Sequence, residues 1–292
     1  MMQVSHSARE RYQRVIESID NLPSLPAIVT RLMQVVNSPD TSADDAAKLI
    51  EKDPALTSKM LRLANSAFYG IPRSISSVAS AVVILGFNTI RSLVLSASVM
   101  QMFPGEKSGF DKDRFWKHSI VCAIAAKIMV RHFMSIRMMD PESAFCAGIL
   151  HDIGKLIFNE FVHDDYMEAF EFSAKKKVPL VQAEKMILGI DHAEIGKILS
   201  DKWALPLDLE FSLVYHHEPA AANNITDLVT TVHMADILAN RLGMGLIDDG
   251  ICNDEWNQAR AVLKITDEDY SRIFSTLESS VEKSVEFLSI IN

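Results

Sequence analysis

The chain has 292 residues, 48% of them hydrophobic and 23% charged, which supports one large core or two smaller ones and excludes long disorder. Its formal net charge of −9 argues against bulk binding to nucleic acid phosphates, although a local basic pocket is compatible with it.

In chain order, Met1–His6 starts no apolar signal region. Pro26 opens a helix with Ile28, Leu32, Val35 and Val36 on one side, and Asn37-Ser38-Pro39-Asp40 ends it. Ser42 is a good N-cap for the next helix, which carries Ala46, Leu49 and Ile50. Asp53-Pro54 restarts the pattern through Leu56, Met60, Leu61 and Leu63, and the stretch Asn65–Gly70 breaks it. The apolar run Val78–Met102 is interrupted by Gly86, Asn88 and Arg91, so it reads as two buried helices, 78–85 and 88–102, and not as a membrane span. Phe68, Tyr69, Phe87 and Phe103 read as core or turn packing. Pro104–Gly109 is polar, turn-rich and the best internal boundary.

Beyond it a long helix carries His118. Asp140-Pro141 opens the helix expected to hold His151 and Asp152. Lys175-Lys176-Lys177 reads as a solvated helix end. Asp191 can cap the helix that begins at His192, and Pro206 opens one ending near His216. Thr226 or Asp227 begins the helix bearing Asp236. After Gly243-Met244-Gly245, Thr266–Asp269 is a capping-box-like start for a last helix through Phe287. Strand signals are scarce, so an all-α fold is expected, with segments 1–105, 106–245 and 246–292. The cysteines Cys122, Cys146 and Cys252 form no CxxC pair. Cys122 and Cys146 read as core residues, and the pattern suits a reducing cytoplasm.

The most informative segment is His151-Asp152-Ile153-Gly154-Lys155, which follows the apolar run Phe145–Leu150. A buried histidine beside a buried carboxylate needs a partner, and a divalent metal accepts both donor types. The aspartate can bridge two ions through its two oxygens. Gly154 admits the close approach of another backbone or a ligand. Lys155, four residues after His151, shares its face if the helix continues, and its ammonium could meet a phosphate oxygen. His118, His192, His216, His217 and Asp236 supply matching donors. The alternative for His192, His216 and His217 is ordinary polar helix ends. His216 and His217 point in different directions on a helix, so they need not share an ion. His233 reads more readily as a surface residue than as a group supporting the site, and His6, His132 and His163 as surface residues. Mixed histidine and carboxylate donors favour one or two Fe or Mn ions, with Zn, Ni and Mg also compatible.

The set His118, His151-Asp152 and Asp236 resembles the HD superfamily of metal-dependent phosphohydrolases, and this resemblance implies that the four hold a first metal. His192, His216 and His217 resemble the additional histidines of the HD-GYP branch, in which Asp152 would bridge two ions. No Gly-Tyr-Pro follows His216-His217-Glu218-Pro219, where this chain reads Ala220-Ala221-Ala222. Leu22-Pro23-Ser24-Leu25-Pro26, Asn37-Ser38-Pro39-Asp40, Ile50–Leu56, Leu61–Gly70 and Ile84-Leu85-Gly86 resemble the HDOD domain over roughly residues 15–245. That resemblance implies a multi-helical bacterial signalling module, its N-terminal helical half packed on an HD-type metal-site half. Such a module works with two-component or cyclic-dinucleotide proteins or a nucleotide ligand, without bulk nucleic acid or membrane binding. The alternative it implies is an active phosphohydrolase or phosphodiesterase on a nucleotide or cyclic dinucleotide, with Asp152 and Lys155 in catalytic roles.

Overall fold

The computed structural model describes residues 6–20, 24–36, 42–103, 107–132, 139–223, 226–246 and 253–291. The chain is all-helical, and the described residues contain no strand. In order the helices are α1 (His6–Asp20), α2 (Ala27–Val36), α3 (Ala43–Ile50), α4 (Pro54–Ala64), α5 (Val78–Leu85), α6 (Phe87–Gln101), α7 (Lys112–His132) and α8 (Pro141–Leu150). They continue with α9 (Ile153–Phe161), α10 (His163–Lys176), α11 (Leu180–Leu188), α12 (His192–Trp203), α13 (Leu207–Tyr215), α14 (Thr226–Arg241), α15 (Asn253–Leu263) and α16 (Asp267–Ile291). A short 3-10 turn, Pro219–Ala222, precedes α14. No helix among the described residues is long and apolar enough to cross a membrane.

The chain forms two compact units, each discontinuous in sequence. One comprises Met1–Pro23 and Gly105–Ser275, the other Ser24–Pro104 and Thr276–Asn292. The first unit includes α1. Arg11 and Arg14 of α1 pair with Asp165 of α10 at 3.2 and 2.6 Å, and Arg11 also reaches Glu168 at 2.7 Å.

In the second unit the helix starts follow the cap residues. Ser42 and Asp45 form a reciprocal capping box, and Asp53 caps α4 with Pro54 in its first turn. Leu32, Ile50, Met60, Leu63, Ile90 and Leu93 fill the core. Asn65 ends α4 and fastens the following loop. Its side chain donates to the Leu61 and Ile75 carbonyls at 2.8 Å and accepts from the Ile75 N–H at 2.7 Å. Gly86 separates α5 from α6 at φ 85°, a conformation that favours glycine.

In the first unit α7 is buried along most of its length and packs against α8 and α14. The approach of α7 to α8 depends on Gly148, where a Cβ would lie 2.5 Å from the Ala123 Cα. Asp140 caps α8, and Asp191 with Glu194 forms a capping box on α12. The helix expected to hold His151 and Asp152 ends before them. α8 stops at Leu150, His151 is its C-cap, and Asp152 precedes the first turn of α9. Adjacent positions within a helix diverge by about 100°. A break between helices lets both side chains turn toward one centre. Lys155 therefore lies in the first turn of α9 and not on a continued His151 face.

Candidate metal centre

Five elements converge on the His-Asp junction. α7 brings His118, the α8–α9 break brings His151 and Asp152, and α12 begins at His192. The end of α13 brings His216 and His217, and α14 brings Asp236. His118, His151, Asp152, His192 and His216 are buried, while His217 and Asp236 are half-buried.

The two oxygens of Asp152 face different groups. Oδ2 lies 3.5 Å from His118 Nε2 and 3.4 Å from His151 Nε2. Asp236 Oδ1 closes this group, 3.2 Å from His118 Nε2 and 4.0 Å from His151 Nε2. Oδ1 lies 3.3 Å from His192 Nε2 and 3.6 Å from His216 Nε2. His192 Nε2 is also 3.3 Å from His216 Nε2 and 2.8 Å from His217 Nε2. His216 and His217 thus turn to one group, contrary to the divergence expected from their adjacency, because His216 ends α13 and the chain turns there.

The donor set fits a divalent metal on three grounds. Donor atoms bound about 2.1 Å from one ion sit roughly 3.0–3.4 Å apart, close to the spacings here. The imidazoles are also pre-oriented. His151 Nδ1 meets the Gly148 carbonyl at 2.8 Å, His192 Nδ1 meets Glu184 Oε2 at 2.5 Å, and His216 Nδ1 meets the Leu213 carbonyl at 3.0 Å. Each such acceptor claims the Nδ1 proton and leaves an Nε2 lone pair aimed at the centre. Lone pairs facing one another at 2.8–3.3 Å need a proton or a cation between them. Finally, His151 Nε2 and Asp152 Oδ1 are buried with no hydrogen-bond partner among the described residues. Such orphaned polar atoms are costly unless something else satisfies them.

Without a cation, protons take its place. Burial opposes charge on His151, but Asp152 outweighs it and raises its pKa well above the usual value. Burial likewise opposes charge on His192, yet Glu184 and Asp152 lift it to about 9. Burial pushes His216 down to about 4 and His217 well below its usual range, and neighbouring imidazoles push the same way. Asp152 and Asp236 stay well below the carboxylate range despite burial, chiefly through the imidazoles around them.

Lys155 donates to Asp152 Oδ2 at 2.7 Å. It also lines a cavity of about 730 Å³ together with His192, His217 and Asp236. The cavity wall includes the apolar Leu180, Val181 and Ile237 beside Tyr215. Its size suits a small-molecule ligand.

One supporting residue lay outside the sequence reading of the site, and another was weighed there and read as a surface residue. Glu184 is wholly buried and holds both the backbone N–H and the Nδ1 of His192. A signal was present: Leu180, Glu184 and Leu188 share one helical stripe, so a carboxylate interrupts a buried face. His233 is buried, contrary to the surface expectation, and its Nδ1 meets the His216 carbonyl at 2.7 Å. It lies three residues from Asp236, on the inward side of α14. Gly154 meets its expectation of a close approach: a Cβ there would lie 2.1 Å from the His192 carbonyl oxygen. His132 is exposed and His163 is half-buried against Asn159. Cys122 and Cys146 are buried, and Lys175–Lys177 are exposed. Cys252, the 37–40 stretch and the His6 side chain lie outside the described residues.

A helical protein with two histidine–carboxylate groups sharing one aspartate is of the HD type in fold and donor pattern. The chain belongs to the HDOD domain family, whose pattern matches residues 22–219. It is similar over 98% of its length to 99% of a candidate phosphohydrolase from Shewanella amazonensis SB2B, with 27% identity and a TM-score of 0.76. It is similar over 97% of both chains to an HDOD domain protein of unknown function from Geobacter sulfurreducens, with 26% identity and a TM-score of 0.78. A curated relative, an uncharacterized protein of Treponema pallidum (strain Nichols), is 24% identical over 224 residues. That match spans 76% of this chain and 43% of the relative, so this chain corresponds to less than half the relative's length.

Proposed function

We propose that this HDOD protein is a divalent-metal-dependent phosphohydrolase acting in bacterial signalling. The observation that carries this reading is the cavity above the clustered Nε2 and carboxylate atoms. A purely structural metal needs a closed donor shell and no ligand-sized space beside it. His118, His151, Asp152 and Asp236 would hold one ion, and Asp152, His192, His216 and His217 a second, with Fe or Mn the favoured metals. Bound there, a divalent ion supplies Lewis-acid polarisation of a phosphoryl oxygen and acidifies water.

The chain's own residues do the rest. Asp152 presents one oxygen to each group and fixes their separation. Lys155 is held by Asp152 at the cavity floor, where its ammonium can offset charge on a phosphoryl oxygen. Glu184 and the Gly148 and Leu213 carbonyls fix imidazole tautomers and so keep the Nε2 atoms unprotonated toward the centre. The apolar wall positions the leaving group and excludes water from it. A cytoplasmic setting beside two-component or cyclic-dinucleotide proteins belongs to this reading.

The test is metal content followed by turnover. The purified protein should carry at least one Fe or Mn per chain and hydrolyse a chromogenic phosphoester, while Asp152→Ala loses both. Turnover that persists in Asp152→Ala removes this site as its source. A second reading, a docking module without catalysis, is favoured by the exposure of Val83 (74%) and Ile84 (52%) on α5. A metal-loaded wild type that is silent on phosphoesters, and a binding partner lost on Val83→Asp, would select it.

A further inference from the structure

We infer that the cavity takes a phosphomonoester with an uncharged leaving group, and that Arg114 grips its phosphoryl oxygens. This rests on the phosphohydrolase reading and names its substrate class. Arg114 lies on α7 one helical turn before His118 and lines the cavity. Three lysine and arginine side chains line the cavity, and two have carboxylate partners: Lys155 pairs with Asp152 at 2.7 Å and Lys185 with Asp191 at 2.8 Å. The Arg114 guanidinium has no hydrogen bond or ion pair to a described residue. A guanidinium offers a planar fork of donors that matches two oxygens of a phosphoryl group.

The remaining lining charges are negative. Glu194, Glu218 and Glu255 are exposed residues of the cavity lining, as Arg114 is. A polyphosphate or a second phosphodiester would set its additional charges against these carboxylates, which makes the site selective by repulsion. A dianionic monoester places all its charge on one phosphoryl group, for which the Arg114 guanidinium would be the partner. Its leaving group then meets Leu180, Val181, Tyr215 and Ile237, which provide apolar surface and no cation. In the reaction the oxygen of water forms a bond to phosphorus, the ester P–O bond breaks, and a proton passes to the departing oxygen. The products are an alcohol and inorganic phosphate.

The experiment uses the full chain loaded with Mn, as wild type, Arg114→Ala and Arg114→Lys. Arg114 is exposed, so the variants should fold and keep wild-type metal content. Inorganic phosphate binding is measured by calorimetry, independently of turnover. The expected result is phosphate binding weakened at least tenfold in Arg114→Ala and partly recovered in Arg114→Lys. With p-nitrophenyl phosphate the KM of Arg114→Ala should rise at least tenfold, and with bis(p-nitrophenyl) phosphate less than threefold. Unchanged phosphate affinity in a fully loaded Arg114→Ala overturns the inference. Wild type that hydrolyses only the diester overturns the substrate class and leaves the phosphohydrolase reading standing. Loaded wild type that neither binds phosphate nor hydrolyses either ester overturns both.

Discussion

Gly154→Ala should displace His192 and empty half of the metal centre. The added Cβ would lie 2.1 Å from the His192 carbonyl oxygen, 2.8 Å from its carbonyl carbon and 2.9 Å from its Cα. All three atoms are backbone, so no side-chain rotation can relieve the contact. Favourable carbon contacts lie at about 3.5 Å or more, and the first turn of α9 must therefore separate from the start of α12 by roughly 1 Å. Overpacking of this kind costs about 1–3 kcal/mol. Donor atoms at a metal tolerate shifts of about 0.2 Å, so the His192, His216, His217 and Asp152 group should fail before the fold does. Metal content by mass spectrometry should fall by close to one ion per chain, with the melting temperature lower by several degrees and helicity retained. A variant with wild-type metal content and an unchanged melting temperature would refute the claim that this glycine sets the position of His192.

Three further outcomes follow from the same geometry. Glu184→Gln keeps an acceptor for His192 but removes its negative charge, and metal affinity by competition titration should weaken about 10–100-fold. An unchanged affinity would show that the negative charge of Glu184 does not strengthen His192 as a ligand. Metal binding at pH 7.5 should release at least one proton, from His192, whose pKa is lifted to about 9 and which must shed its proton to bind, and the upward shift of His151 acts in the same direction. Calorimetry in buffers of different ionisation enthalpy reads that number, and a value near zero contradicts it. The metal-free protein should be most stable near pH 6.5. His192 is raised from 6.5 to about 9, so its contribution is full below 6.5 and is lost as pH rises through 9. His216 is lowered from 6.5 to about 4, so its contribution is full above 6.5 and is lost as pH falls toward 4. Each is worth about 3 kcal/mol at most, and a melting temperature flat from pH 6.5 to 9 would contradict the His192–Glu184 ion pair.

Cap residues made much of the fold legible. Ser42, Asp53, Asp140, Asp191 and Thr266 each cap a helix where the sequence suggests one, since the capping hydrogen bond is local and needs no tertiary partner. The break between His151 and Asp152 was not legible. Apolar residues stand on both sides of the His151-Asp152 pair, and no proline marks the junction. At this junction His151 turns back onto the Gly148 carbonyl of its own helix end, and the His192 backbone lies against Gly154, a long-range contact that local sequence does not announce. The same limit applies to His233. Its spacing from Asp236 was readable, but its burial depends on where α13 ends, because the group it binds is the His216 carbonyl.

The electrostatics explain why so many ionisable groups can be buried together. Asp152 and Asp236 alone would face a large desolvation cost, and so would charged His151 and His192. Together they neutralise one another, and the protons on the two imidazoles supply the positive charge that a divalent ion would bring. The metal-free fold is therefore a proton-filled form of the same site and need not collapse when metal is withdrawn. Asp152 is the group for which this balance matters most. It touches His118, His151, Lys155, His192 and His216 within 3.6 Å. Replacing it with alanine would leave several buried cationic or lone-pair groups facing one another with no anion between them. The balance thus requires one residue both to join the two donor groups and to hold the metal-free site together.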